Sequence, residues 1–277
     1  MADCNQTLRY FCSKCDSLLR ESETADVDVG RITEACPRCG GSLAQTVEIR
    51  RSLPKIAPSL PQFQIARAGP VLTLDLRALD DFFLGFRAGD MLFITGPQEN
   101  MLASRLCVRA LLPAKRGGLE SPVVFIDAGN NSDVYQCVNF ARQYGLDIKK
   151  VLDGIIVSRA FTIHQLTELI ARDLYKVVRQ FRARLVVISG LLTMFQQDPM
   201  TDEKEAERLL GHILAAIRET LQDAVVIVTT RDLENHCEIA AKFGSRIETA
   251  GSVKVWKGDR SKTLNLKEKE LRLAFGA

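Results

Sequence analysis

The chain has 277 residues, 46% hydrophobic and 26% charged, with mean hydropathy near zero and a formal net charge of +3. That length holds one large domain, or one large and one small, with an ample apolar core. The composition excludes a disordered or fibrous chain, no apolar run approaches the ~20 residues that span a bilayer, and so small a net charge does not by itself mark a polyanion binder.

The first fifty residues carry two C-x-x-C pairs, Cys12/Cys15 and Cys36/Cys39. Two residues between thiolates let both sulfurs meet one tetrahedral ion, and two such knuckles close a four-sulfur site, the arrangement of a structural zinc. Gly40 and Gly41 follow the second knuckle, where a tight turn needs positive φ, and "AQTVEIR" then reads as a returning strand. A segment this short hardly folds without its metal. Two redox dithiols or disulfides are the alternative; they suit poorly the cytoplasmic protein suggested by an N-terminus, MADCNQTLRY, without the apolar core of a secretion signal. The expectation is a zinc ribbon over 1–50 holding structural Zn2+, which touches either nucleic acid or protein.

From Arg50 to Pro70 the chain carries four of its nine prolines and reads as an extended linker, placed at 51–70. A domain from 71 to 277 follows, in which strand and helix patterns alternate. "MLFIT" (91–95) precedes a helix from about Met101 to Leu112; "PVVFID" (122–127) precedes a helix that Ser132 would cap and Gly145 would end. "GIIVS" (154–158) leads to a long helix with Ile163, Leu166, Ile170, Leu174 and Val178 at helical spacing. "RLVVIS" (184–189), a helix burying Leu209 to Leu221, and "AVVIVTT" (224–230) complete the alternation. Near-continuous Val/Ile runs between amphipathic helices predict an α/β fold, a mostly parallel sheet covered on both faces. "SVKVW" and "KTLNLK" alternate at period two and predict antiparallel strands at its edge. Cys107 and Cys137 lie in helix-like apolar patterns and read as core residues.

Between "MLFIT" and its helix runs "GPQENMLAS", the setting of the phosphate-binding motif G-x-x-x-x-G-K-[ST]. Gly96 keeps the first position. Met101 stands for the second glycine, Leu102 for the lysine and Ala103 for the hydroxyl residue, with Ser104 one position late. Glu99 adds a negative charge where a phosphate would need positive ones.

The ordered set of segments resembles the archaeal RadA recombinases and their eukaryotic relatives from about Leu72 to Lys257. "GIIVSRAFTIHQL" is similar to their "ARAF/ARAY…HQ" stretch, "VVFIDAGN" to their second core strand, "LVVISGLLTMF" to their Walker B strand, and "LTLDLRALDDFFLGFRAGDMLFITG" to their entry segment. The resemblance implies a RecA-like P-loop core that forms filaments or rings, binds single- or double-stranded DNA and hydrolyses ATP between subunits. On that alignment Ser189 replaces the Walker B aspartate and Gly129 the catalytic glutamate, so four parts that phosphoryl transfer requires are missing. The expectation is a degenerate ATPase that does not use ATP and works through its surfaces. The N-terminal ribbon resembles that of the bacterial RadA/Sms proteins.

Within this reading, Phe63 and Ala66 fit the F-x-x-A segment by which the family plugs one subunit into the next; the partner would be an active RadA-type recombinase or a second copy. Gly251 to Ala277 carries seven Lys/Arg against three Asp/Glu, and Lys254, Lys257, Arg260 and Lys262 read either as DNA contacts or as a solvated hairpin. Arg231 opens the family's second DNA-binding loop. His164 and His212 read as polar helix residues. The alternative function is a KaiC-like scaffold that docks protein partners and not DNA.

Overall fold

The Val/Ile runs become strands, and their alternate side chains divide two cores. A computed structural model describes residues 5–12, 17–20, 39, 43–50, 69–130, 132–197, 201–231, 245–249 and 253–264. The chain divides into two units, Met1–Ser52 and Leu53–Ala277. In the first, β1 (Asn5–Cys12) lies between β2 (Ser17–Arg20) and β3 (Leu43–Arg50), antiparallel to both. Cys12 pairs with Ser17 and with Leu43. Cys15, Cys36 and the linker with Phe63 and Ala66 lie outside the described residues.

In the second unit, α1 (Arg77–Phe83) precedes β4 (Met91–Thr95), α2 (Glu99–Ala110), β5 (Val123–Asp127), α3 (Val134–Gln143) and α4 (Ile148–Asp153). Then come β6 (Ile155–Arg159), α5 (Ile163–Glu168), a π-helical stretch Leu169–Leu174 and α6 (Tyr175–Phe181). The rest is β7 (Leu185–Ser189), α7 (Leu191–Gln197), α8 (Glu203–Thr220), β8 (Val225–Thr230), β9 (Ser245–Glu248), β10 (Val253–Lys257) and β11 (Arg260–Leu264). They form one sheet in the order β11-β10-β9-β4-β8-β7-β5-β6. The strands from β9 to β6 run parallel, and β10 and β11 add an antiparallel edge, as the alternating tail implies.

One face of the sheet buries Val124, Ile126, Val186, Ile188, Val226 and Val228 against α5 to α8. The other buries Leu92, Ile94, Phe125, Val187 and Ile227 with α1 and α2. This alternation is the direct result of strands two-sided in their hydrophobicity. The helices start on side-chain caps: Asp133 for α3, Asp147 for α4, Thr162 for α5 and Asp202 for α8 each accept a first-turn N–H. Ser132, expected as the α3 cap, accepts a hydrogen bond from Arg159 at 2.8 Å instead, and the cap moves one residue on.

The entry to this unit is fastened to α2. Arg105 and Arg109, both 3% exposed, reach the half-exposed Asp75 at 3.3 and 3.1 Å. Arg109 also donates to the Thr73 carbonyl and hydroxyl, and Arg105 to the Tyr144 hydroxyl. Among the described residues no helix is long and apolar enough to cross a membrane.

Candidate functional site

In an open parallel sheet, ligands bind beyond the carboxyl ends of the strands. Here those ends carry Thr95 on β4, Asp127 on β5, Ser189 on β7 and Thr230 on β8. A phosphate loop would need a wide turn after β4, with free backbone N–H groups and a helix N-terminus aimed at the anion.

The turn is not wide. Helix α2 starts at Glu99, two residues before the Met101 expected from periodicity, leaving only Gly96, Pro97 and Gln98 between strand and helix. The backbone donors of the turn itself are taken. Gly96 donates to the Thr230 carbonyl (3.2 Å), Gln98 to the Thr249 hydroxyl (3.4 Å), Glu99 to the Gly96 carbonyl (3.2 Å) and Leu102 to the Gln98 carbonyl (3.1 Å). Pro97 has no N–H to offer. Thr249, just past β9, lies on the turn: its N–H and its hydroxyl both donate to the Thr95 carbonyl, at 2.9 and 3.0 Å. Gly96, at φ +103, has no room for a side chain, because an added Cβ would stand 2.5 Å from the Thr249 hydroxyl.

The residues at the lysine and hydroxyl positions point elsewhere. Leu102 and Ala103 are fully buried in the apolar cluster under α2, with Leu92, Ile94 and Phe83. Met101 packs half-buried against the same helix layer. Ser104, the one-residue-late hydroxyl, is buried beside the Cys137 thiol. Burial pushes that thiol up to about 11 and raises Cys107 well above its usual value, so both stay protonated, as core cysteines do.

Uncharged polar groups meet at the ends of β7 and β8. The Ser189 hydroxyl, buried at the end of β7, donates to the Asn100 side-chain oxygen at 2.9 Å and lies 3.5 Å from the Thr229 hydroxyl. The Thr193 and Thr230 hydroxyls meet at 3.2 Å. Beyond Ser189, Gly190 at φ +73 runs against Gly129, whose backbone would stand 2.7 Å from a Cβ at position 190. The loops after β5 and β7 therefore touch where a catalytic carboxylate would sit.

Two carboxylates remain nearby. Asp127 is fully buried, accepts from the Ser132 N–H (3.2 Å), and is ion-paired with Arg159 at 3.1 Å, so it ties β5 to β6. Glu99, 1% exposed, lies in the first turn of α2. Burial pushes its carboxyl above the usual range, opposed by N–H donors of its own turn and by the exposed Arg231 cation.

Gly96, Gly129 and Ser189 thus gather at one corner, while Met101, Leu102, Ala103 and Ser104 turn into packing. The four tail cations do not share a face. Lys254 alternates with Val253 and Val255, whereas Lys257, Arg260 and Lys262 project on the core side. There Lys257 donates to the Phe83 carbonyl at 2.7 Å and the Arg260 guanidinium lies 5.7 Å from the Phe82 ring centroid. Asn100, Thr249 and Arg159 escaped sequence reasoning, because nothing in their spacing marks a polar side chain as a plug or a partner.

A family model described as Rad51 matches residues 81–248, more than half of the chain, from α1 through the four strand ends above to the last residue of β9. The chain belongs to the Rad51 family. The Rad51 match supports a RecA-like, recombination-related role and agrees with the sheet and its flanking helices. The first unit and the β10–β11 hairpin lie outside the matched Rad51 segment.

Proposed function

We propose that this chain is a non-catalytic RadA-like member of the Rad51 family, an accessory factor in DNA recombination or repair that acts through subunit and DNA contacts. The observation that carries the reading is the closure of the corner after β4: a turn whose amides are taken, an apolar residue at the lysine position, and Asn100 against Ser189 in place of a metal-binding carboxylate. Without a lysine and a metal site, a triphosphate has nothing to neutralise its charge.

Subunit contact is supported at β6, the sheet's edge. Val157 is 50% exposed and Phe161, just past the strand, is 73% exposed; Tyr135, on α3, is 82% exposed. An open strand edge with exposed apolar side chains suits an added strand from a neighbour. Phe63-Gln64-Ile65-Ala66 is the segment we assign to that role, in an active recombinase assembly or in self-assembly. The same exposed aromatics favour the second reading, a scaffold that binds protein and not DNA.

The first unit is proposed to hold structural Zn2+ through Cys12, Cys15, Cys36 and Cys39. The donor set is four thiolates at knuckle spacing; Cys12 ends β1 opposite both Ser17 and Leu43, and Cys39 precedes Leu43 by four residues.

Isothermal titration of the full chain with ATP and Mg2+, beside a phosphate-release assay, tests the central reading. Neither binding heat nor turnover is expected; turnover that is lost on altering Gly96 would sink it. Salt-dependent binding of DNA separates the accessory factor from the scaffold, since counterion release makes the first fall steeply with salt.

A further inference from the structure

Glu99 is a poor residue to bury, yet it is among the least exposed of the chain's charged residues. A carboxylate taken out of water costs free energy unless donors replace its hydration. What surrounds it follows from where α2 begins. Gln98, at the N-cap, makes no side-chain cap. The turn's own bonds take the amides of Gly96, Gln98, Glu99 and Leu102, and leave those of Asn100 and Met101. These two N–H groups belong to the first helical turn, where no intrahelical carbonyl reaches and the helix dipole is positive. Glu99 lies in the same turn. Burial pushes its carboxyl up, opposed by its own amide, by the Arg231 cation just past β8 and by the Asn100 amide.

Stability does not account for this glutamate. Because burial outweighs the donors, the fold gains nothing from the charge, and a neutral side chain would suit the position better. Its place accounts for it more directly. First-turn amides at the positive end of a helix are where a phosphate group sits when a helix follows a strand in this way. We propose that Glu99 is a built-in anion, whose carboxylate occupies the seat over the first turn of α2 that a phosphate would take and so shuts the corner to phosphates from within. The proposal rests on the non-catalytic reading above and deepens it. Leu102 in place of the lysine removes an attraction, whereas Glu99 removes the space. The class it excludes is any pyrophosphate or phosphate ester, whatever base or sugar is attached.

Inorganic pyrophosphate is the probe, because it carries the charge without the base. The full chain, Glu99→Gln and Glu99→Ala are melted with and without it at matched ionic strength, and the Asn100 and Met101 amide resonances are followed in parallel. Pyrophosphate is expected to leave the wild type and Glu99→Gln unmoved, since glutamine keeps the volume of the side chain. Glu99→Ala vacates the seat. At about ten times the dissociation constant its midpoint rises by roughly 3 °C, with the two amide resonances shifting as the site fills. Glu99→Ser, a residue that helix starts accept, takes its place if alanine unfolds the chain. A folded Glu99→Ala or Glu99→Ser that ignores pyrophosphate overturns the built-in anion and leaves the non-catalytic reading standing. Equal binding by Glu99→Gln and Glu99→Ala overturns it as well, because charge and not occupancy would then be the barrier. Pyrophosphate binding by the wild type overturns both the built-in anion and the closed corner.

Discussion

The corner after β4 and the rim of the sheet have drawn opposite treatment from the same fold. At the corner, the groups contact protein: Thr249 on the Gly96 turn, Asn100 on Ser189, Gly190 against Gly129. At the rim, Val157 and Phe161 stay exposed at one edge, and β11 keeps Arg260 to Thr263 exposed on the other. Interior positions that lose a ligand must find partners, because an unsatisfied buried polar group costs about 1–3 kcal/mol. Surface positions feel no such pressure. A filled corner beside an open rim is what the proposed function, contact and not chemistry, would leave.

Leu102→Lys is the harshest way to break this contrast. It restores the motif's lysine but puts an ammonium into a fully apolar pocket, and an uncompensated buried charge costs roughly 3–5 kcal/mol. Urea unfolding is expected to show that loss with no gain of ATP binding. Normal stability with nucleotide binding would mean the corner opens readily. Phe161→Glu probes the other side: stability should stay within about 0.5 kcal/mol, while size-exclusion chromatography loses any higher assembly. An unchanged elution profile for an assembling wild type would remove β6 from the interface.

The smallest effect is at Glu99. Its folded carboxyl titrates above the unfolded one, so its favourable share is present below the unfolded value and disappears as pH rises through the folded one. Glu99→Gln should therefore raise Tm slightly at neutral pH, with the gain fading towards pH 4. A gain that grows on acidification would reverse the sign of the burial argument.

Much of the core was legible. The strands stood out as unbroken Val/Ile runs, and the helix burying Leu209, Leu210, Ile213 and Ile217 followed its period. The π-helical stretch was not read, although its signal was there. Leu166, Ile170, Leu174 and Val178 recur every four residues, which in an ideal α-helix would drift by about 40° per step; widening the turn keeps them all against α8. The early start of α2 was hidden because Pro97, Gln98, Glu99 and Asn100 have no apolar rhythm. Of the site, the departures from the motif at 102, 103, 129 and 189 are plain from residue type alone. The polar partners at that corner are not, since Asn100 and Thr249 act through positions 89 and 154 residues distant in the chain.

The two arginines that hold Asp75 and Thr73 onto α2 have a consequence for timing. Riveted to the chain's entry and, on the proposed reading, without a nucleotide to sense, this helix would have no reason to shift when cellular ATP rises or falls. Inside an assembly of cycling neighbours, such a subunit would be the one fixed rung.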